Sequence, residues 1–327
     1  MLRVDVDPLV PSPEVIAHAA RLLRSGRLVA FPTETVYGLG ANALDASAVE
    51  RIYAAKGRPE YNPLIVHVVD VAAARHLVRA WPEQAEALAN AFWPGPLTLV
   101  LPKRPIIPDA VTARLPAVAI RVPAHPVAQA LLAEAEIPIA APSANRSMLL
   151  SPTTGAHVES SLGEAIDLIL DAGPTPVGIE STVIDLSSPE PRLLRPGTIS
   201  LPQIEAVIGP VGTAGRVSGP TARVSPGMLE RHYAPRARLI LSNAGELPAL
   251  VDRWRASARL IGALVIDARI EGPHVVRMPA EPLAYASRLY AALHELDDAG
   301  CDVVVVENVP DEPAWLGVHD RLTRAAR

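Results

Sequence analysis

Residues 27–40 read Arg-Leu-Val-Ala-Phe-Pro-Thr-Glu-Thr-Val-Tyr-Gly-Leu-Gly. An apolar run of strand type leads into Thr33, Glu34 and Thr35, and two glycines follow. The same signature, a short apolar run closing on polar residues, recurs at 63–69, 97–101, 118–122, 137–141, 166–171, 182–186 and 192–195. Helical patterns fill the gaps, near 46–56, 72–80, 82–92, 126–135, 152–162 and 202–208. Ahead of them Ser12 is placed to cap a first helix with Pro13 in its first turn. Val15, Ile16, Ala19, Leu22 and Leu23 share that helix's inner face, and Gly26 stops it. Strand and helix in alternation predict an α/β domain over residues 1–208.

After Ile208 the pattern breaks into Gly, Pro, Ser and Thr, so 209–236 reads as a linker. Alternation resumes with strands at 238–241, 260–267 and 302–307 and helices at 247–256, 283–298 and up to 327. That is a second, smaller α/β domain, 237–327, with no repeat of the first.

Composition agrees with this division. The chain has 327 residues, 49% hydrophobic and 20% charged, enough for two globular cores and unlike a disordered chain. A net charge of −5 leaves no broad basic surface for nucleic acid, so stable RNA or DNA binding is not expected. Among 30 basic residues only Lys56 and Lys103 are lysines. One cysteine, Cys301, permits neither an internal disulfide nor a Cys-x-x-Cys metal site. The N-terminus lacks the apolar run of a secretory signal, and no stretch reaches the ~18 apolar residues of a membrane helix. The expectation is a soluble cytoplasmic protein.

The common nucleotide and hydrolase signatures are missing: there is no G-x-x-x-x-G-K-[ST], H-E-x-x-H or G-x-S-x-G. A G-x-G-x-x-A at Gly38, Gly40 and Ala43 lacks the strand that should enter its first glycine, because Pro32-Thr33-Glu34-Thr35 intervenes. No spaced metal-ligand set appears either.

What remains is a set of polar residues at strand ends. Thr33 and Thr35 could simply close a turn. Lys56-Gly-Arg58 precedes two prolines and Asn62, a rigid basic loop suited to a polyphosphate; a lysine complementing its helix dipole is the plainer alternative. His67 lies in an apolar strand, as a core histidine would. Arg121 sits in Val-Ala-Ile-Arg-Val-Pro, so its guanidinium needs a partner, either a ligand carboxylate or an internal Asp or Glu. Ser143 and Asn145 belong to Pro-Ser-Ala-Asn-Arg-Ser; Ser151 before Pro152 is an ordinary N-cap that also suits an anion. Ser181 in Gly-Ile-Glu-Ser-Thr-Val and Arg195 in Leu-Arg-Pro-Gly again stand at strand ends. Hydroxyls and four cations thus converge on one sheet edge, where α/β proteins bind ligands.

With these residues in view the sequence resembles the YrdC-like family, and more narrowly its two-domain threonylcarbamoyl-AMP synthases. The resemblance rests on F-P-T-E-T-V-Y-G-L-G, K-G-R-P-x-x-N-P-L, F-W-P-G-P-L-T, R-V-P, P-S-A-N-x-S, S-P-T-T, G-I-E-S-T-V and L-R-P-G, in order. S-P-G-M-x-x-R-H-Y-A-P and D-R-L-x-R-A-A match the longer subgroup. Met148 and Ala172 stand where that family usually has glycine.

The resemblance implies a YrdC-like twisted open sheet with helices plus a Rossmann-like C-terminal domain. It implies that L-threonine, bicarbonate and ATP, with Mg²⁺, become L-threonylcarbamoyladenylate and pyrophosphate. The adenylate then passes to tRNA threonylcarbamoyl transferase machinery, which modifies the adenosine beside the anticodon. Lys56, Arg58, Asn62, Ser143, Ser151 and Arg195 would hold ATP, with Asn145 ordering their loop and the backbone near Ala117 touching the nucleotide. Lys56 and Arg58 would also neutralise charge during displacement. Thr35, His67, Arg121, Ala141 and Ser181 would hold threonine. Residues 225–235 would close as a lid, bringing Arg231, His232 and Tyr233 to the phosphates. No protein metal ligand is expected. An RNA-binding module of YrdC-like type, without synthase activity, is the alternative.

Overall fold

The computed structural model describes residues 1–213, 233–257 and 259–326. Within these the chain builds one sheet of eleven strands and a second of four. Across the large sheet the strands run Leu2–Asp5, Leu168–Asp171, Val29–Pro32, Tyr37–Asn42, Ile139–Ala140, Ile65–His67, Ala117–Arg121, Leu97–Pro102, Thr182–Asp185, Arg192–Arg195 and Gly212–Thr213. Pairing is mixed. Val29–Pro32 and Tyr37–Asn42 form an antiparallel hairpin, whereas Ile65–His67 and Ala117–Arg121 run parallel with His67 opposite Arg121. Helices cover both faces: Ile52, Leu88, Leu99 and Ile120 pack on one side, Leu23, Phe31, Leu131 and Leu170 on the other.

The small sheet is wholly parallel, in the order Arg238–Ser242, Val303–Glu307, Ile261–Val265, Val275–Arg277. Helix Leu247–Arg255 packs on one face, and Pro282–Asp298 with Leu316–Ala325 on the other. Burial on both faces explains why Val303, Val304, Val305 and Val306 run unbroken, without polar alternation.

The two units share an apolar contact. Val36, Leu150 and Ile179 from loops of the large sheet join the cluster under Pro282–Asp298 and Leu316–Ala325. The last helix comes so close that a Cβ on Gly317 would lie 2.5 Å from the carbonyl oxygen of Gly197. Only a residue without a side chain fits there.

Local signals placed many elements. The helix at 46–56 has those bounds, capped by the Asp45 side chain on Ser47 and Ala48 N–H and ended by Gly57 at φ +60°. Other readings need correction. Ser12 occupies the N-cap of Pro13–Arg24, but its side chain makes no capping bond. Ser151 is not an N-cap: the helix starts later, at Gly155–Leu162, and Thr154 caps it by accepting from His157 N–H. The glycines after Thr35 belong to a strand, Tyr37–Asn42, where a Cβ on Gly40 would lie 2.9 Å from the Phe31 ring and 3.0 Å from Ile139, closer than side chains pack. The edge strand Leu2–Asp5 and the short Gly212–Thr213 and Val275–Arg277 also escaped a pattern search. Two to four residues give alternation nothing to register. Gly212–Thr213 pairs with Arg192–Arg195, and residues 214–232, which hold most of the expected linker and lid, lie outside the described residues.

Candidate active site

Strand ends of the large sheet meet in one cavity, whose lining includes Thr33, Thr35, Arg58, His67, Arg121, Ala141, Ser143, Ser181, Arg195 and Tyr233. His67 and Arg121 close two parallel strands side by side, so one crevice opens beyond both carboxyl ends. Thirteen of the expected site residues lie around this crevice or behind it; Ala117 stands at the opposite end of its strand from Arg121, and Arg231 and His232 are outside the described residues.

Arg121 has an internal partner. Its Nη2 lies 2.6 Å from Glu34 Oε1, close but not aligned as a hydrogen bond. Nη1 donates to Thr35 Oγ1 at 2.9 Å and Nε to the Gly95 carbonyl at 3.1 Å. Glu34 is held in turn by Ala124 N–H on Oε2 at 2.9 Å, and Thr33 and Thr35 share a hydroxyl bond of 2.8 Å. The guanidinium is thus fixed from three sides. His67 is buried beside it, its Nδ1 without a partner. Burial, then the nearby Arg121 charge, pushes the imidazole down to about 3, so it is neutral at physiological pH.

Opposite stand two buried guanidiniums. Arg58 donates to the carbonyls of Asn62 and Pro63, at 3.0 and 2.8 Å. Arg195 donates to Ser181 through the carbonyl and the hydroxyl, both at 3.0 Å, and is hydrogen-bonded to Tyr233. Among the described residues neither forms an ion pair, and burial lowers both, Arg58 to about 10. A buried guanidinium without a carboxylate is costly, and an anionic ligand relieves that cost. The Asn62 amide is buried with neither atom partnered.

Lys56 is placed differently from its neighbour. Its ammonium donates to the carbonyls of Ser143 and Asn145, pinning the Pro-Ser-Ala-Asn loop from beneath, and it does not line the cavity. Burial, with Arg58 adding to it, pushes its pKa well down. Asn145 helps from the same loop, donating to the Arg146 and Leu149 carbonyls. Lys103 is remote, paired with Asp109 at 2.6 Å. Met148 sits at φ +72°, where a non-glycine residue costs about 1 kcal/mol.

Sequence reasoning missed the far wall. Glu180 lines the cavity beside Ser181, and its carboxylate meets Arg321 from the last helix at 2.7 Å. Burial alone would raise its pKa, but Arg321 and Arg195 hold it down at about 2. Ser151, expected on ATP, spends its hydroxyl on Glu180. One signal was present: Arg321 falls on the inner face of its helix with Val318, Leu322 and Ala325.

No cluster of three or more metal-ligating side chains occurs among the described residues. The two carboxylates at the cavity are engaged, one by Arg121 and one by Arg321. A hard cation brought with a polyphosphate would find hydroxyls and the phosphates themselves as its oxygen donors. No helix among the described residues is long and apolar enough to cross a membrane.

Comparison with known proteins follows the same outline. A family model described as "Telomere recombination", covering Sua5, YciO and YrdC, matches residues 21–197. One described as the C-terminal domain of threonylcarbamoyl-AMP synthase matches 199–327. The chain is similar to threonylcarbamoyl-AMP synthase of Bacillus subtilis, 44% identical over 99% of this chain and 96% of that one. The Pyrococcus abyssi enzyme is 43% identical over 95% and 94%. P. abyssi Sua5 complexed with L-threonine superposes with a TM-score of 0.95 at 41% identity, covering 100% of this chain and 98% of its own.

Proposed function

The chain belongs to the Sua5/YciO/YrdC family, with its two-domain threonylcarbamoyl-AMP synthases, and on that premise we propose how its cavity divides the work. It forms L-threonylcarbamoyladenylate and pyrophosphate from L-threonine, bicarbonate and ATP, a nucleotidyl transfer that serves tRNA modification. The synthase names of its relatives favour this over a purely RNA-binding role.

The threonine amine and bicarbonate condense to a carbamate with loss of water. A carbamate oxygen then attacks the α-phosphorus of ATP, forming the mixed anhydride, and pyrophosphate leaves with the electron pair of the broken P–O bond. The residues need to hold three reactants in line and to absorb charge rather than supply a strong base.

Arg121, fixed by Glu34, Thr35 and Gly95, takes the threonine carboxylate on its remaining donors. Thr35, the Ala141 backbone and Ser181 surround the amino acid, and neutral His67 offers its unpartnered Nδ1 to the amine. Arg58 and Arg195 receive the phosphates, with Ser143 and Tyr233 beside them. Asn62 supplies an unpaired amide to the nucleotide, while Lys56 and Asn145 hold the loop that shapes the pocket. Mg²⁺ arrives as part of the MgATP substrate. His232 is a further nucleotide contact by resemblance, and the single cysteine fits a cytoplasmic setting.

The observation that carries this reading is the pair of buried guanidiniums, Arg58 and Arg195, neither of which forms an ion pair among the described residues. Pyrophosphate release from ATP, with threonine and bicarbonate added singly and together, tests it. Release requiring both, and lost in Arg58→Ala, is expected. Release without threonine would overturn the assignment.

A further inference from the structure

Glu180 puts a negative charge into the wall that carries Arg58 and Arg195. Left alone it would repel a polyphosphate drawn to those guanidiniums. What offsets it comes from the other end of the chain. Arg321, 1% exposed, donates through Nε to Glu180 Oε2 at 2.7 Å. Its Nη2 donates to the Glu180 carbonyl at 3.2 Å and its Nη1 to the Pro196 carbonyl at 2.9 Å. Those two carbonyls immediately precede Ser181 and follow Arg195. The guanidinium also lies 5.1 Å from the centre of the Tyr233 ring.

The surroundings complete the link. Glu180 further accepts from the Ser151 hydroxyl and from Tyr290 on Pro282–Asp298, at 3.2 Å to Oε2. Asp320 lies 3.0 Å from Arg321 Nη1 and is shared with Arg324. One side chain of the C-terminal unit therefore touches the cavity residues Glu180 and Tyr233 and the Pro196 carbonyl beside Arg195.

We propose that Arg321 is a positioning residue for the nucleotide: it neutralises Glu180 and fixes the turn after Arg195, so that ATP meets a cationic wall. This rests on the synthase reading and assigns the last helix a share in ATP affinity. A helix that merely glued the units together would matter equally for both substrates; a charge beside the phosphates matters for ATP.

Steady-state pyrophosphate release and calorimetric titration with ATP and with threonine on the full chain separate the two. For Arg321→Met the KM for ATP should rise about tenfold or more while that for threonine moves by no more than about twofold. The double variant Glu180→Gln/Arg321→Met, which removes both charges, should recover most of the ATP affinity. Arg321→Lys keeps the charge but loses the fork, so it should fall between wild type and Arg321→Met, and it carries the test should Arg321→Met not fold. Equal rises for both substrates, no rise at all, or a double variant no better than Arg321→Met would overturn the proposal. A wild-type chain releasing no pyrophosphate would instead overturn the synthase reading, and the ATP titrations would still decide the role of Arg321.

Discussion

Both sheets end parallel strands in loops rich in backbone donors, and they treat those loops in opposite ways. In the small sheet Glu307, the last residue of its strand, is buried and accepts from the N–H groups of Ile266, Asp267 and Ala268 at 2.7, 3.0 and 3.0 Å. The protein's own carboxylate fills the place an anion would take. In the large sheet the guanidiniums of Arg58 and Arg195 have no such filler, and His67 Nδ1, the Asn62 amide and Asn145 Oδ1 are buried without partners. Among the described residues every buried side-chain polar atom lacking a partner belongs to the large-sheet unit. An α/β edge supplies polar groups; it becomes a ligand site where the chain leaves them unmet.

The hardest blow to this contrast falls on Arg121. Arg121→Met strands Glu34 without its cation, and threonine-dependent turnover should drop by more than about 100-fold while ATP affinity stays within about threefold. Weakening of both substrates together would break the division of the cavity. Next, Glu307→Ala leaves three donors unmet and should cost about 2–4 kcal/mol in urea unfolding, with kcat/KM of the folded fraction within about twofold of wild type. Lost activity at unchanged stability would make the small-sheet edge a ligand site too.

Acid sharpens the comparison more gently. His67 titrates at about 3 in the fold against an ordinary 6.5, so the unfolded chain takes up the proton first. Its contribution to stability is whole above pH 6.5 and is lost as pH falls toward 3. Glu180, at about 2 against 4.5, loses its contribution between those values. Stability of His67→Gln should therefore decline less steeply than wild type from pH 6.5 to 4.5; parallel curves would mean that His67 is not held neutral. The smallest effect belongs to Asn243→Ala, which removes the exposed 2.8 Å bond from Asn308 at the small-sheet edge and should cost at most about 1 kcal/mol.

Much of the fold was legible because its signals are local. Asp45 and Gly57 bracket one helix, and the apolar runs at 97–101 and 182–186 became Leu97–Pro102 and Thr182–Asp185. Strand ends marked by Thr35, His67, Arg121, Ser181 and Arg195 also met in one cavity. The rest depends on partners far along the chain. Arg121 announces its need for a carboxylate, but nothing near it says that Glu34 answers. Lys56 and Arg58 look interchangeable in sequence, yet one faces two carbonyls beneath a loop and the other the cavity. Glu180 and Arg321 are 141 residues apart, and only docking of the last helix makes them a pair.

That docking has a mechanical side. Where helix Leu316–Ala325 meets the turn after Arg195, the main chain of Gly317 bears on the main chain of Gly197. Side chains at most interfaces act as springs, taking up small displacements by changing rotamer. At this one point there is none to deform. A tilt of the last helix is passed straight to the turn that carries Arg195, and a tightening of that turn around a phosphate is passed back. At this point two glycines in contact act as a stiff lever on the turn that carries Arg195 rather than as a cushion beside it.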